Sequence, residues 1–180
     1  FDHRRPFGNG QLFPAGELRE PKKETCRANF VCITRYSGSS YPPGISERLI
    51  KDFPLVKATL RLDSLSNLNN GEVLDVKQLR DQPVVAFSGI ANPDDFRKIL
   101  EKSGARVACY HPFPDHHEYI LNDIRQIEDS ARKSGAKFIL TTEKDAVKVN
   151  LSSTTLPFYK VALEMEILEG REIFNQQVLN

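Results

Sequence analysis

Asp115-His116-His117 sets two imidazoles beside a carboxylate, residue types that can move a proton near neutral pH or ligate a metal ion. His116 reads in two ways: as a general base for a hydroxyl nucleophile, or as part of a pair in which one histidine caps a helix and the other is a solvated loop residue. His111, His116 and His117 with Asp115 offer donors suited to a metal, but adjacent histidines rarely aim at one ion and no second acidic cluster stands out, so no metal site is assigned. Thr141-Thr142-Glu143-Lys144-Asp145 gathers hydroxyls and mixed charges. There Lys144 could meet a phosphate and Glu143 or Asp145 could orient the histidine. In the plainer alternative Thr142 caps a helix start and Lys144 stays in solvent. Ser88-Gly89 would let a ligand approach the backbone closely, or serve only as turn geometry.

All three clusters stop a short apolar run, at residues 83–86, 106–110 and 137–140. The gaps between the runs are helix-sized rather than tight turns. Asn92 is suited to cap, Pro93 to the first helical position, and Asp94 and Asp95 to the positive end, ahead of an apolar stripe of Phe96, Ile99 and Leu100 that stops at Gly104. The next gap aligns Ile120, Ile124, Ile127 and Ala131 and stops at Gly135. Both helices leave through nearly the same words, Lys102-Ser103-Gly104-Ala105-Arg106 and Lys133-Ser134-Gly135-Ala136-Lys137, as expected of two copies of a good helix-stop and strand-start junction. Strand, helix, strand in this rhythm predicts a three-layer α/β fold with a mostly parallel, Rossmann-like sheet. Such sheets carry chemistry outside the carboxyl ends of their strands, which puts Ser88, His116 and residues 142–145 on one rim.

Around this core, residues 29–34 read as a buried strand, Tyr41-Pro42-Pro43-Gly44 as a loop and residues 46–52 as a short helix capped by Ser46. Val56, Ala58, Leu60 and Leu62 alternate with Lys57, Thr59 and Arg61, the mark of a strand wet on one face. Asn69-Asn70-Gly71 turns it into a hairpin partner at 72–76, a β-hairpin excursion. A last strand is expected at 158–163 and a terminal helix near 171–179. Residues 1–28 carry three glycines and three prolines without apolar periodicity, which predicts an irregular arm, with 29–180 as the α/β lobe. The first residue is Phe1, and the sequence reads as cut from a longer chain whose missing part the arm covers.

Net charge is +1 at 180 residues, which argues against a dedicated nucleic-acid binder. The balance is uneven: residues 1–35 hold seven Lys/Arg against four Asp/Glu, so an anionic partner is allowed there. Three cysteines without a C-x-x-C pair read as reduced core filler in a cytosolic compartment. No uncharged apolar stretch approaches the roughly 20 residues that span a bilayer, and no signal peptide is expected. Neither G-x-x-x-x-G-K-[ST] nor G-x-G-x-x-G occurs, so this chain has no P-loop.

Four blocks in order carry a resemblance: Arg5-Pro6-Phe7-Gly8-Asn9-Gly10 with Leu12-Phe13-Pro14-Ala15-Gly16-Glu17-Leu18-Arg19-Glu20-Pro21; Val85-Ala86-Phe87-Ser88-Gly89-Ile90-Ala91-Asn92-Pro93; Phe113-Pro114-Asp115-His116-His117; and Thr141-Thr142-Glu143-Lys144-Asp145-Ala146-Val147. Together they resemble the carboxyl-terminal portion of the tetraacyldisaccharide 4'-kinases, the lipid A 4'-kinases. The resemblance implies an enzyme that moves the γ-phosphoryl group of ATP, with Mg2+, onto the 4'-hydroxyl of a tetraacyldisaccharide 1-phosphate, as a peripheral protein on the cytoplasmic face of the inner membrane. It implies that ATP and Mg2+ are held mainly by an amino-terminal P-loop lobe that this chain lacks, leaving the chain inactive alone. By the same resemblance His116, with Asp115 beside it, takes the place of the catalytic histidine that helps an aspartate of the other lobe deprotonate the sugar hydroxyl. Arg19, Glu20 and Asn9 would then line the substrate cleft; an ion pair fastening the arm and a tight turn are the alternatives for these residues. Two rivals stand beside this reading. The triplet also resembles that of the DHH metal-dependent phosphoesterases, for whose aspartate-rich motif only Asp63 is a nearby candidate. A non-catalytic α/β module binding a glycolipid or partner lobe through its basic arm is the other.

Overall fold

Residues 83–88 are apolar at nearly every position, and a strand of that kind must be covered on both faces. The computed structural model, which describes residues 1–38, 45, 51–152 and 154–179, places it between two helices. The expected loop at Tyr41-Pro42-Pro43-Gly44 and the helix start at Ser46 lie outside the described residues. The strands are β1 (Val31–Ile33), β2 (Leu55–Asn67), β3 (Val73–Asp75), β4 (Pro83–Ser88), β5 (Arg106–Pro112), β6 (Phe138–Thr142) and β7 (Phe158–Glu169). The helices are α1 (Pro93–Lys102), α2 (Leu121–Ser134) and the short α3 (Glu143–Ala146) and α4 (Arg171–Phe174), the last running into a π-turn at Asn175–Leu179.

The chain divides into two compact units, one of Phe1–Leu60 with Met165–Asn180, the other Arg61–Glu164; β2 and β7 run through both. In the second unit the strand order is β2, β7, β6, β4, β5, with β3 antiparallel on β2. β4 is parallel to β5 and to β6, and β6 is parallel to β7. The hairpin excursion at 69–76 is present, closed by Asn67 carboxamide contacts to the N–H groups of Asn69 and Asn70.

Alternation along the strands sorts the core into two layers. Val84 and Ala86 of β4, Leu140 of β6 and Tyr159 and Val161 of β7 pack with Phe96 and Leu100 of α1. Val85, Phe87, Ile139 and Phe158 face the other way, onto Ile124, Ile127 and Ala131 of α2. Helix, sheet and helix thus make the three layers that the sequence predicts. Gly135, φ +63°, ends α2 in the left-handed conformation, where a β-carbon would be strained. One expectation is corrected: Asn92 precedes α1 but its side chain makes no capping bond, and the helix start rests on Pro93, Asp94 and Asp95.

In the first unit, β1 pairs in parallel with the start of β2, and Val31, Ile33 and Ile45 form a small core with Phe1, Phe7 and Phe53 packed on it. The arm is irregular but anchored. The Phe1 nitrogen donates to the Cys32 carbonyl at 2.6 Å, His3 N–H donates to the Thr34 carbonyl at 2.9 Å, and Arg35 pairs with Asp2 at 2.8 Å. A six-residue 3-10 helix, Lys22–Arg27, is its only regular piece among the described residues.

Candidate active site

The carboxyl ends of β4, β5 and β6 meet at one rim because the three strands are parallel and neighbouring. β4 delivers Ser88 and Gly89, β5 the turn at 113–117, and β6 the start of α3. The turn is laced to β4 by its backbone: Phe113 N–H donates to the Ser88 carbonyl at 2.8 Å and His116 N–H to the Gly89 carbonyl at 3.3 Å. It is laced to α3 by two lysines. Lys144 Nζ donates to Asp115 Oδ1 at 2.7 Å, and Lys148 Nζ to the His117 carbonyl at 3.3 Å. The Lys144 bond holds the Asp115 carboxyl below the usual carboxylate range.

The two adjacent histidines have opposite fates. His117 stacks on Phe113 with ring centroids 4.6 Å apart and its Nε2 lies 2.9 Å from Asp123 Oδ2, so its imidazole is committed to the wall of the turn. Asp123 Oδ2 also accepts from Ile120 N–H at 3.0 Å, tying the start of α2 to the same point. His116 sits in the left-handed region, φ +62°, with its side chain 76% exposed and its nearest charged partner Asp115 at 4.0 Å. A non-glycine residue in that conformation carries a backbone cost that the surrounding bonds must offset. The outcome is an imidazole fixed at its root and open at its tip.

Beneath the rim lies a buried polar layer. Asp145 is fully buried; its Oδ2 accepts from Gly89 N–H at 3.0 Å and from the Thr142 hydroxyl at 2.6 Å, while Oδ1 has no hydrogen-bond partner. Thr142 caps α3, its Oγ1 accepting Asp145 N–H at 3.1 Å. Ser88, also fully buried, shares a hydrogen bond with the Tyr110 phenol, which donates to the Pro93 carbonyl at 3.0 Å. Burial pushes the Tyr110 phenol up to about 12. Burial, and then the Asp145 carboxylate beside it, pushes the Tyr119 phenol well above its ordinary value. Glu143 reaches Lys160 at 3.8 Å on the exposed side.

Ser88, Asp115, His116 and Thr142 through Asp145 therefore come together in the second unit, with Lys144 engaged to Asp115. Asn9, Arg19 and Glu20 belong to the first unit. There Asn9 holds its own turn, Nδ2 donating to the Ala15 carbonyl at 3.0 Å and Oδ1 accepting Gln11 N–H at 3.1 Å. Glu20 pairs with Arg27, and Arg19 is exposed. Phe113, Tyr119 and Asp123, which decide where the two histidines point, were not singled out from the sequence. Their signal was the aromatic flanking of the Asp-His-His triplet. The triplet's three side chains diverge, to Lys144, to solvent and to Asp123. Among the described residues no group of three or more His, Cys, Asp or Glu side chains is placed to hold a metal.

The third histidine is structural. His111 Nε2 lies 3.0 Å from Ser130 Oγ and 3.4 Å from Cys109 Sγ, and burial holds its pKa below the ordinary value. A histidine kept neutral in the fold stabilises fully above its unfolded pKa of about 6.5, and that contribution is lost as pH falls from there through the lower folded-state pKa. The melting temperature should therefore drop between about pH 7.5 and about pH 5.5, and His111→Gln should remove much of that drop. Parallel melting curves of the two proteins at both pH values check this.

A family model described as "LpxK: Tetraacyldisaccharide-1-P 4'-kinase" matches residues 1–180. The chain is 33% identical over 178 residues to the tetraacyldisaccharide 4'-kinase of Syntrophus aciditrophicus, covering 92% of this chain and 48% of the relative. It is 36% identical over 176 residues to that of Syntrophotalea carbinolica, covering 96% and 46%. The chain thus spans about half the length of the curated relatives it matches. Its fold is similar to a crystal structure of LpxK from Aquifex aeolicus in complex with ATP, with a TM-score of 0.55 at 27% identity over 95% of this chain and 48% of that one. A match along its whole length, the curated relatives and a shared α/β architecture agree: the chain belongs to the tetraacyldisaccharide-1-P 4'-kinase family.

Proposed function

We propose that this chain is the carboxyl-terminal lobe of a lipid A 4'-kinase, in which residues 29–180 bring the catalytic His116 to the reaction and residues 1–28 pack on the amino-terminal lobe. The observation that carries the reading is the state of His116, rooted by backbone bonds at the carboxyl rim of a parallel sheet and open at its ring. Phosphoryl transfer asks little of the protein beyond positioning and charge. The 4'-hydroxyl of a tetraacyldisaccharide 1-phosphate gives up its proton as its oxygen bonds to the γ-phosphorus and the bond to the ADP oxygen breaks. His116, together with an aspartate of the other lobe, receives that proton. Asp115 holds the turn through Lys144, and Lys144 and Glu143 stand at the rim where phosphate charge would arrive. Arg19 and Glu20 are assigned to the lipid substrate. Asn9 serves that site by shaping the arm.

Among the described residues no cluster of three or more metal-ligating side chains stands ready for Mg2+, and no step here is routed through it. ATP and its metal are assigned mainly to the part of the relatives that this chain does not cover, in keeping with the lack of a P-loop sequence. In line with the family resemblance, the work is assigned to the cytoplasmic face of the bacterial inner membrane. No helix among the described residues is long and apolar enough to cross it, which suits peripheral contact.

The test is transfer of labelled γ-phosphate. Full-length protein with Mg-ATP and tetraacyldisaccharide 1-phosphate should yield the 4'-phosphorylated lipid, and the 180-residue segment alone should yield none. A full-length protein that makes no such product, or a segment that makes it unaided, would contradict the reading.

A further inference from the structure

Asp145 is a fully buried carboxylate that the transfer step above does not use. Its position is specific. One oxygen collects the Gly89 N–H at 3.0 Å and the Thr142 hydroxyl at 2.6 Å. On the far side of that same residue, the Gly89 carbonyl takes the His116 N–H at 3.3 Å. Gly89 is therefore a bridge of one residue, held by Asp145 at one end and, at the other, sharing the His116 N–H with Asp115 Oδ1, which accepts it at 3.0 Å. The space around it is closed: a β-carbon there would lie 3.0 Å from the Pro114 carbonyl oxygen, 3.2 Å from Asp145 Oδ1 and 3.2 Å from His117 Cβ. The Gly89 peptide thus cannot drift without moving the turn that carries the imidazole.

We infer that Asp145 is a positioning residue for His116, acting through the Gly89 backbone to hold the left-handed turn in which the imidazole meets the substrate hydroxyl. A fully buried carboxylate is a costly way to satisfy one N–H and one hydroxyl, since a charged group gives up hydration on burial. Its charge strengthens both bonds it does make, as ionised acceptors do. A neutral acceptor would hold Gly89 more loosely, and the His116 turn stands in a backbone conformation that relaxes when its tethers weaken. Asp145 also gives its N–H to the Thr142 cap of α3, whose Lys144 grips Asp115 on the outer side of the same turn. The turn is held from beneath by one residue and from outside by its neighbour in sequence.

This inference rests on the kinase reading, and its experiment separates the two. In the full-length protein, Asp145→Ala should lower kcat about tenfold or more while the KM for ATP stays within about twofold, because the ring is displaced rather than the nucleotide. In a His116→Ala background the same change should cost little further turnover, as expected of two residues acting as a unit. Independent, multiplying effects would overturn the positioning role, and so would an Asp145→Ala protein with unchanged kcat. If Asp145→Ala does not fold, Asp145→Asn enters the cycle, with non-additivity of the same sign and smaller size. A second readout stands apart from catalysis: the His116 amide and ring resonances should shift in the Asp145→Asn protein. Unmoved resonances would overturn the inference even if the kinase reading holds. A His116→Ala protein of full activity would sink the catalytic reading of His116 and leave the resonance shift to decide whether Asp145 sets the turn.

Discussion

His116→Ala in the full-length protein should lower kcat by about 10²–10⁴-fold, the range over which a positioned acid or base acts, while leaving the KM for ATP within a few-fold. The reasoning is geometric. The ring is 76% exposed and makes no contact that the fold depends on, so its removal should spare stability. Its backbone N–H and φ are set by Gly89 and by the turn, which an alanine retains at the cost of a left-handed residue already present. The nucleotide is assigned elsewhere, so its affinity should not follow the loss of turnover. Steady-state kinetics with both substrates varied, and a melting curve beside them, check all three parts. The adjacent His117→Ala should behave differently, losing thermal stability along with activity, because His117 is packed on Phe113 and bonded to Asp123.

Phe87→Ala should cost the chain about 3–5 kcal/mol, the largest single loss of stability expected in the second unit. Phe87 is fully buried one residue before Ser88 and packs edge-on against Phe158 of β7 at 6.1 Å and against Tyr119 at 5.2 Å. Truncation removes transfer free energy and leaves a cavity between sheet and α2 that close-packed neighbours fill only in part. Since Tyr119 also packs on Phe113 and His117, the damage should reach the rim. Urea denaturation of the 180-residue chain measures the loss. A change below about 1 kcal/mol would mean that the layer under the rim is not the close-packed core described.

What could be read from the sequence follows physical lines. β4 and β6 were visible because strands covered on both faces read as uninterrupted apolar runs, the edge strand β5 because residues 107–110 are a short apolar run after a helix-stop junction, and α1 and α2 because their stripes end in glycines with nearly the same wording. Thr142 was legible as a helix cap, since a threonine three residues before an aspartate in a polar quartet has that geometry built in. β2 and β7 proved longer than expected. β7 runs to Glu169, past the expected end at 163: its far half alternates Glu164 and Glu166 with Met165 and Ile167 before Leu168-Glu169 breaks the pattern, and a half-charged run of this kind reads as solvent rather than sheet when the neighbouring strand is unknown. Asn92 failed as a cap although its type fits, since capping needs a side-chain orientation that residue identity does not fix.

At the site, the gathering of these segments at one end of the sheet was legible from parallel strand order alone, with His116, Glu143 and Lys144 at the rim; that Ser88 and Asp145 lie buried beneath it was not. Nor was the separation of His116 from His117. It depends on Asp123, on a stacked Phe113 and on a positive φ, none of which spacing reveals. Asp145 was named as a carboxylate that could orient the histidine, but its burial was hidden for a related reason. Set between Lys144 and Ala146 at the foot of a strand, it reads as one charge among several in solvent, whereas the turn of α3 points it inward to Gly89. A residue's charge tells where it would prefer to be; only the backbone tells where it is held.

The measurement that bears most directly on the account is the single-turnover rate of phosphoryl transfer by the full-length protein carrying His116→Gln, at saturating ATP and lipid acceptor. Glutamine keeps a polar side chain of similar reach at the rim but cannot take a proton at neutral pH. The account predicts transfer at least about 100-fold slower than in the unsubstituted protein, with ATP binding preserved. Transfer by His116→Gln at the unsubstituted rate would contradict it.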